Sequence, residues 1–147
     1  MKNLNKKYII IVGSQGQIGK NLKKKLIKEN YNLISLDKKL KSEIDSFHID
    51  LNEDKNINRT LAKIKKKYKK IYGLINLAAH QVLSDFEKRS INEIDKSLNI
   101  NIKSNILVTK FLYNHYFKKQ KFGKIVNISS IFGMRSPDFK NYKKNDR

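Results

Sequence analysis

The stretch "YIIIVGSQGQIGKNL", residues 8–22, constrains the fold of this chain more than any other. Five apolar residues in a row run straight into Gly13. A short continuous apolar run suits a strand buried on both faces, as in a parallel sheet. After the glycines, Ile18, Leu22, Leu26 and Ile27 recur at helical spacing with lysines between them. Strand, glycine turn and amphipathic helix open a βαβ unit, and the rest of the chain repeats the alternation.

Residues 31–36 form the second expected strand, ending at Asp37, and residues 47–51 a short third one that carries Asp50. Ile57, Leu61, Ile64 and Tyr68 mark another amphipathic helix, and "IYGLINLAA" a fourth strand followed by small residues. A long helix is expected from Ser90 to about Lys119. Its apolar positions are Ile91, Ile94, Leu98, Ile102, Leu107, Phe111 and Leu112, and Ser90 with Glu93 can form a capping box at its start. Residues 124–129 are the fifth strand. Alternating strands and helices imply right-handed crossovers and an α/β doubly wound parallel sheet, with strand order 3-2-1-4-5. At 147 residues the chain suits one domain. Residues 1–136 are expected to form it, and 137–147 a polar, poorly ordered tail.

The net charge of +20 invites a nucleic-acid reading. Only four of the 33 basic residues are Arg, however, and Lys, Asn and Ile, all abundant here, share A/T-rich codons. A nucleic-acid surface favours Arg with aromatic interleaving, concentrated on one element. Here runs such as Lys23-Lys24-Lys25 sit on helix faces, so no specific nucleic-acid partner is expected, only salt-sensitive affinity for polyanions. No run approaches the 18 apolar residues of a membrane span, and the first apolar run is too short for a signal peptide, which points to a cytoplasmic protein. There is no Cys, and the three His lack metal-ligand spacing, so neither disulfides nor a metal site are expected.

Gly13, Gly16 and Gly19 form a G-x-x-G-x-x-G turn between strand and helix. Gly13 permits the turn, Gly16 lets backbone approach a pyrophosphate, and Gly19 allows close helix–strand packing, with the helix N-terminus facing the phosphates. Asp37 lies about 20 residues further on, where a carboxylate can accept both hydroxyls of an adenosine ribose. A carboxylate repels a 2′-phosphate and favours NAD. Lys38 and Lys39 follow immediately and could bind that phosphate, so NADP stays open.

These pieces together resemble the short-chain dehydrogenase/reductases, a family with the Rossmann fold, over essentially the whole chain. "GSQGQIG" looks like the family's coenzyme turn, in the spacing commoner among nucleotide-sugar-modifying members. "DL" at Asp50-Leu51 looks like the adenine-contacting pair, and "NLAA" at residues 76–79 is similar to N-N-A-G, departing at Leu77 and Ala79. "NINIKSNILVTKFL" matches the helix bearing the family's Asn, here Asn101, and "GKIVNISSIFG" the strand bearing its catalytic Ser, here Ser130. The resemblance implies an NAD(P)-dependent oxidoreductase moving hydride between nicotinamide and a carbonyl or alcohol. It implies coenzyme contacts at Gly13, Ser14, Gly16, Gln17, Ile18, Gly19, Asp37, Asp50, Leu51, Asn76, Ala78 and Ala79. Ser130 would bond the substrate oxygen, Asn101 would hold a relay water, and the parent protein would be a homo-oligomer.

In the family a Tyr is the general acid/base, and a Lys four residues later lowers its pKa. The only Tyr after Ser130 is Tyr142, and four residues on stands Asp146, whose carboxylate would raise a phenol pKa. "SPDFKNY" resembles a loop in members associated with surface-sugar and flagellin modification, where the catalytic Tyr comes later. Tyr142 is thus expected to be a loop residue. The Tyr-x-x-x-Lys helix, the last strands and the substrate lobe are expected beyond Arg147, leaving an incomplete and weakly active chain. Two rivals stay open: a catalytically inactive dinucleotide-binding protein, and a relative of nucleotide-sugar epimerases and dehydratases.

Overall fold

The computed structural model describes residues 7–82, 84–136 and 138. Five parallel strands form one sheet in the order β3-β2-β1-β4-β5. They are β1 (Tyr8–Val12), β2 (Asn32–Asp37), β3 (Ser46–His48), β4 (Gly73–Asn76) and β5 (Lys124–Asn127). The helices are α1 (Gln17–Lys28), α2 (Asp54–Lys67), and α3 (Ile91–Leu98), α4 (Ser104–Leu112) and α5 (Lys118–Gln120), which follow one another along a single helical run. The tail at 137–147, with Tyr142, lies outside the described residues apart from Asp138.

The order follows from crossover handedness. From β1 to β2 the chain steps one way along the sheet; from β3 to β4 and from β4 to β5 it steps the other way. Right-handed connections therefore put α1 on one face and α2 with α3–α5 on the other. The second face holds the main core. Ile10 and Val12 of β1 pack there with Ile34, Leu36 and Leu74, beneath Ile57, Leu61 and Ile64 of α2 and Val108 and Leu112 of α4. Side chains alternate along a strand, so Ile9 and Ile11 of β1 face α1 instead, and both are buried. Central β1 pairs with β2 on one side and β4 on the other.

Four expected elements shift, the plainest being β5, which ends at Asn127, two residues short of the expected strand. β2 starts and ends one residue later than its apolar run, because Asp37 still pairs with His48 of β3. β3 stops at His48, so Asp50 is not on the strand. It sits in the turn before α2, where its backbone N–H donates to Asn56 Oδ1 at 2.9 Å and its Oδ1 accepts from Asn52 N–H at 2.9 Å. The expected single helix from Ser90 begins as read, with the capping box closed in both directions. Two π-helical turns, Asn99–Lys103 and Tyr113–Phe117, then interrupt it. Each π turn inserts a residue and rotates the inward face by about 100°. The buried positions become Ser104, Val108, Leu112, Tyr116 and Phe117, while Ile91, Ile94, Leu98 and Ile102 stay exposed.

At β5 the sheet ends. Among the described residues β5 pairs only with β4, and all four of its residues are exposed, including Ile125 and Val126. An uncovered apolar edge is a template for intermolecular pairing. Val126→Lys should therefore raise the monomeric fraction in light scattering and leave the melting temperature within about 2 °C, as surface changes usually do. At the end of central β1 packing is tight. A Cβ on Gly19 would overlap the Gly13 carbonyl oxygen and lie 2.9 Å from Ser14 Cα. Gly19→Ala should cost about 3 kcal/mol and lower the melting temperature by roughly 10 °C in calorimetry.

Candidate coenzyme site

Three chain segments meet at the carboxyl ends of β1, β2 and β4, where doubly wound sheets hold their ligands. The first is the glycine turn. Gly13 adopts φ +81°, open to glycine at little cost, and its missing Cβ would sit 2.6 Å from the Ala78 backbone nitrogen. The N–H groups of Gly13 and Ser14 donate to the Leu36 carbonyl at 2.9 and 3.2 Å, fastening the turn to β2. α1 follows Gly16, its N-cap residue, with no side-chain cap and no acidic residue in its first turn. Its leading N–H groups are thus left for an external anion.

The second segment is the end of β2. Asp37 Oδ2 accepts from Gln15 N–H at 2.8 Å and Oδ1 from Lys39 N–H at 2.9 Å. These two bonds fix the plane of the carboxylate beside the glycine turn, and each oxygen keeps a lone pair for a hydroxyl. The third segment is the loop after β4, with Ala78, Ala79 and His80. Asn101, inside the first π turn, grips this loop: its Oδ1 accepts from His80 N–H at 2.7 Å, and its Nδ2 donates to the His80 carbonyl at 2.8 Å.

Between the segments lies a groove of about 650 Å³. Of the residues read from the sequence, Gly13, Gly16, Asp37, Asp50, Leu51, Ala78 and Ala79 line it. Gln17 and Ile18 are exposed on the first turn of α1, outside the lining. Gly19, Ser14 and Asn76 are buried behind it. Ser14 Oγ has no hydrogen-bond partner among the described residues, and Asn76 Nδ2 donates to Asn127 Oδ1 at 2.7 Å, tying β4 to β5. Ser130 is not in the groove wall either. It caps a short 3₁₀ turn at the end of β5, its Oγ accepting from Phe132 N–H at 3.2 Å. The sequence reading missed the far wall, Asn92, Lys96 and Ile100 of the long helix. Their spacing of four was the available signal, since it places them on one helix face.

Lys38 and Asp50, both in the groove lining, form an ion pair. Lys38 Nζ lies 2.9 Å from Asp50 Oδ2, with the lysine side chain 70% exposed and the aspartate only 16%. Burial pushes the Asp50 carboxyl up, but the Lys38 hydrogen bond, the Asn52 N–H and the Lys38 charge outweigh it and hold the group below its ordinary value. Lys38 is correspondingly raised, first by its bond to Asp50. Among the described residues there is no cluster of three or more metal-ligating side chains, and no helix is long and apolar enough to cross a membrane.

Residues 7–143 match the family model described as short chain dehydrogenase. The "Post-translational flagellin modification protein A" of Campylobacter coli is 32% identical over 95% of this chain and 61% of its own length. The "NAD-dependent glycerol dehydrogenase" of Listeria innocua is 26% identical over 87% of this chain and 54% of its own. A crystal structure of a short chain dehydrogenase from Leptospira borgpetersenii with bound NAD+ superposes with a TM-score of 0.83. It is 26% identical, over 97% of this chain and 60% of that one. The chain thus spans little more than half the length of the relatives it matches. With the family's model matched from β1 past β5 and its sheet order reproduced, this chain belongs to the short-chain dehydrogenases, a family of oxidoreductases.

Proposed function

We propose that this chain is the coenzyme-binding part of an NAD-dependent oxidoreductase that moves hydride between nicotinamide and a carbonyl or alcohol. The observation that carries the reading is Asp37. Its carboxylate is fixed by two backbone N–H groups at the rim of the groove, beside a glycine turn whose helix start is open to an anion. That arrangement suits an adenosine ribose next to a pyrophosphate, and the negative charge disfavours a 2′-phosphate. The NAD+ bound by the Leptospira protein supports the same choice. The coenzyme would supply the hydride; the protein's part is to position it and to manage the proton.

In this reading Leu51 and Ile100, both in the groove lining, hold the adenine, and Asn101 sets the loop over which the nicotinamide end passes. Ser130 would donate to the substrate oxygen as charge builds on it. A sugar-derived substrate fits the "SPDFKNY" stretch and the flagellin-modification name of the Campylobacter relative. A homo-oligomeric, cytoplasmic parent and the absence of a specific nucleic-acid partner belong to the same proposal.

The general acid/base is the missing part. None of the seven Tyr is followed by Lys four residues later. Tyr68 and Tyr116 are both shifted away from use, raised first by burial, Tyr116 to about 12. A catalytically silent dinucleotide-binding protein is the second reading, and this same absence favours it.

Two outcomes are expected. NADH should raise the melting temperature, and Asp37→Ala should weaken NADH binding by about 1.5–3 kcal/mol in calorimetry, the range for a lost charged hydrogen-bonding partner. Binding unchanged by that substitution would contradict the ribose assignment. With NADH and a panel of carbonyl compounds, turnover by the 147-residue chain should be at least about 10²-fold below that of a relative carrying Tyr-x-x-x-Lys, the span of general acid/base catalysis. Robust turnover abolished by Tyr142→Phe would instead make Tyr142 the base.

A further inference from the structure

The two lysines after Asp37 look interchangeable in the sequence, and either could greet a 2′-phosphate. In the folded chain they differ. Lys39 has no ion pair among the described residues, and its backbone N–H supports Asp37. Lys38 reaches across the mouth of the groove to Asp50, 2.9 Å away. Asp50 cannot easily release it. Its carboxylate is half-buried, and apart from Lys38 it is held by the Asn52 N–H at 2.9 Å. Withdrawing the ammonium would leave that half-buried carboxylate short of its counter-ion.

We propose that Asp50 is a specificity-determining residue, whose ion pair with Lys38 commits that cation next to the ribose and keeps the groove selective for the unphosphorylated coenzyme. The inference rests on the coenzyme reading above and adds the device that sets its selectivity. Asp37 repels a 2′-phosphate, and Asp50 denies that phosphate the nearest counter-charge. Because the bonded Asp50 oxygens lie on the wall shared by both coenzymes, a change at Asp50 affects NADH and NADPH alike through the adenine. Only the ratio of the two affinities reports on Lys38.

The test measures dissociation constants of NADH and NADPH for the full chain by calorimetry, in four proteins: parent, Asp50→Asn, Lys38→Met and the double variant. Asn at position 50 keeps the shape and the acceptor for Asn52 N–H, and Lys38→Met alters an exposed side chain, so both are compatible with the fold. Asp50→Asn should free Lys38 and cut the NADPH-to-NADH ratio of dissociation constants about fivefold, the scale of a largely exposed charge pair. Lys38→Met alone should leave the ratio within about twofold, and the double variant should return it to the parent value. An unchanged ratio in Asp50→Asn would overturn the proposal, and so would a shift that persists in the double variant, which would trace to the lost Asp50 charge or to Lys39. Lys38→Met by itself decides the matter if Asp50→Asn does not fold: a large loss of NADPH affinity would show Lys38 already serving the phosphate. Binding of neither coenzyme to any variant would overturn the coenzyme reading itself.

Discussion

Everything at the site depends on how closely three pieces of backbone approach one another at Gly13. The chain leaves β1 there with positive φ, and no side chain could fit between its Cα and the Ala78 backbone. Gly19 lets α1 press onto the Gly13 carbonyl. This crowding brings the helix start, the end of β2 and the loop after β4 to one place. Without it α1 would stand off from the strand, and its open N–H groups would not share a groove with Asp37. The glycines therefore act first as a packing constraint and only through that as a ligand site.

The sequence made much of this legible because local rules and long-range architecture agree. A five-residue apolar run before a glycine reads as a buried parallel strand, and alternation with helices leaves few sheet orders. The place of Asp37 beside the glycine turn was legible from its distance to the glycines, whereas Asn101 and Ser130 were singled out by resemblance alone, and Ser130 lies outside the groove wall. Asp50 was placed one element wrong, because Phe47, Ile49 and Leu51 alternate like a strand although the ladder to β2 ends at His48. The Lys38–Asp50 pair has no sequence signal, since nothing periodic links a β2 terminus to a turn beyond β3.

The long helix shows the same limit in another form. Its capping box is a local pattern and was readable at Ser90 and Glu93. Its two π turns were not, and they decide which apolar residues face the sheet. Ile91, Ile94, Leu98 and Ile102 keep helical spacing yet lie exposed, and Val108, Leu112 and Tyr116 carry the packing. The first π turn also has a positive consequence, because it presents Asn101 to the His80 backbone in a reciprocal pair. Among the described residues the exposed stripe joins the bare edge at β5 as a second apolar surface.

The groove is the centre of the account, and amide NMR spectra recorded while NADH is titrated in test it most directly. The account predicts that the largest shifts fall on residues 13–18, Lys38, Lys39, Leu51, Asn52 and residues 78–80, with saturation at one coenzyme per chain. Shifts spread over the lysine faces of α1 and α2, weakening steeply with salt, would show phosphate groups held by charge alone and would contradict it.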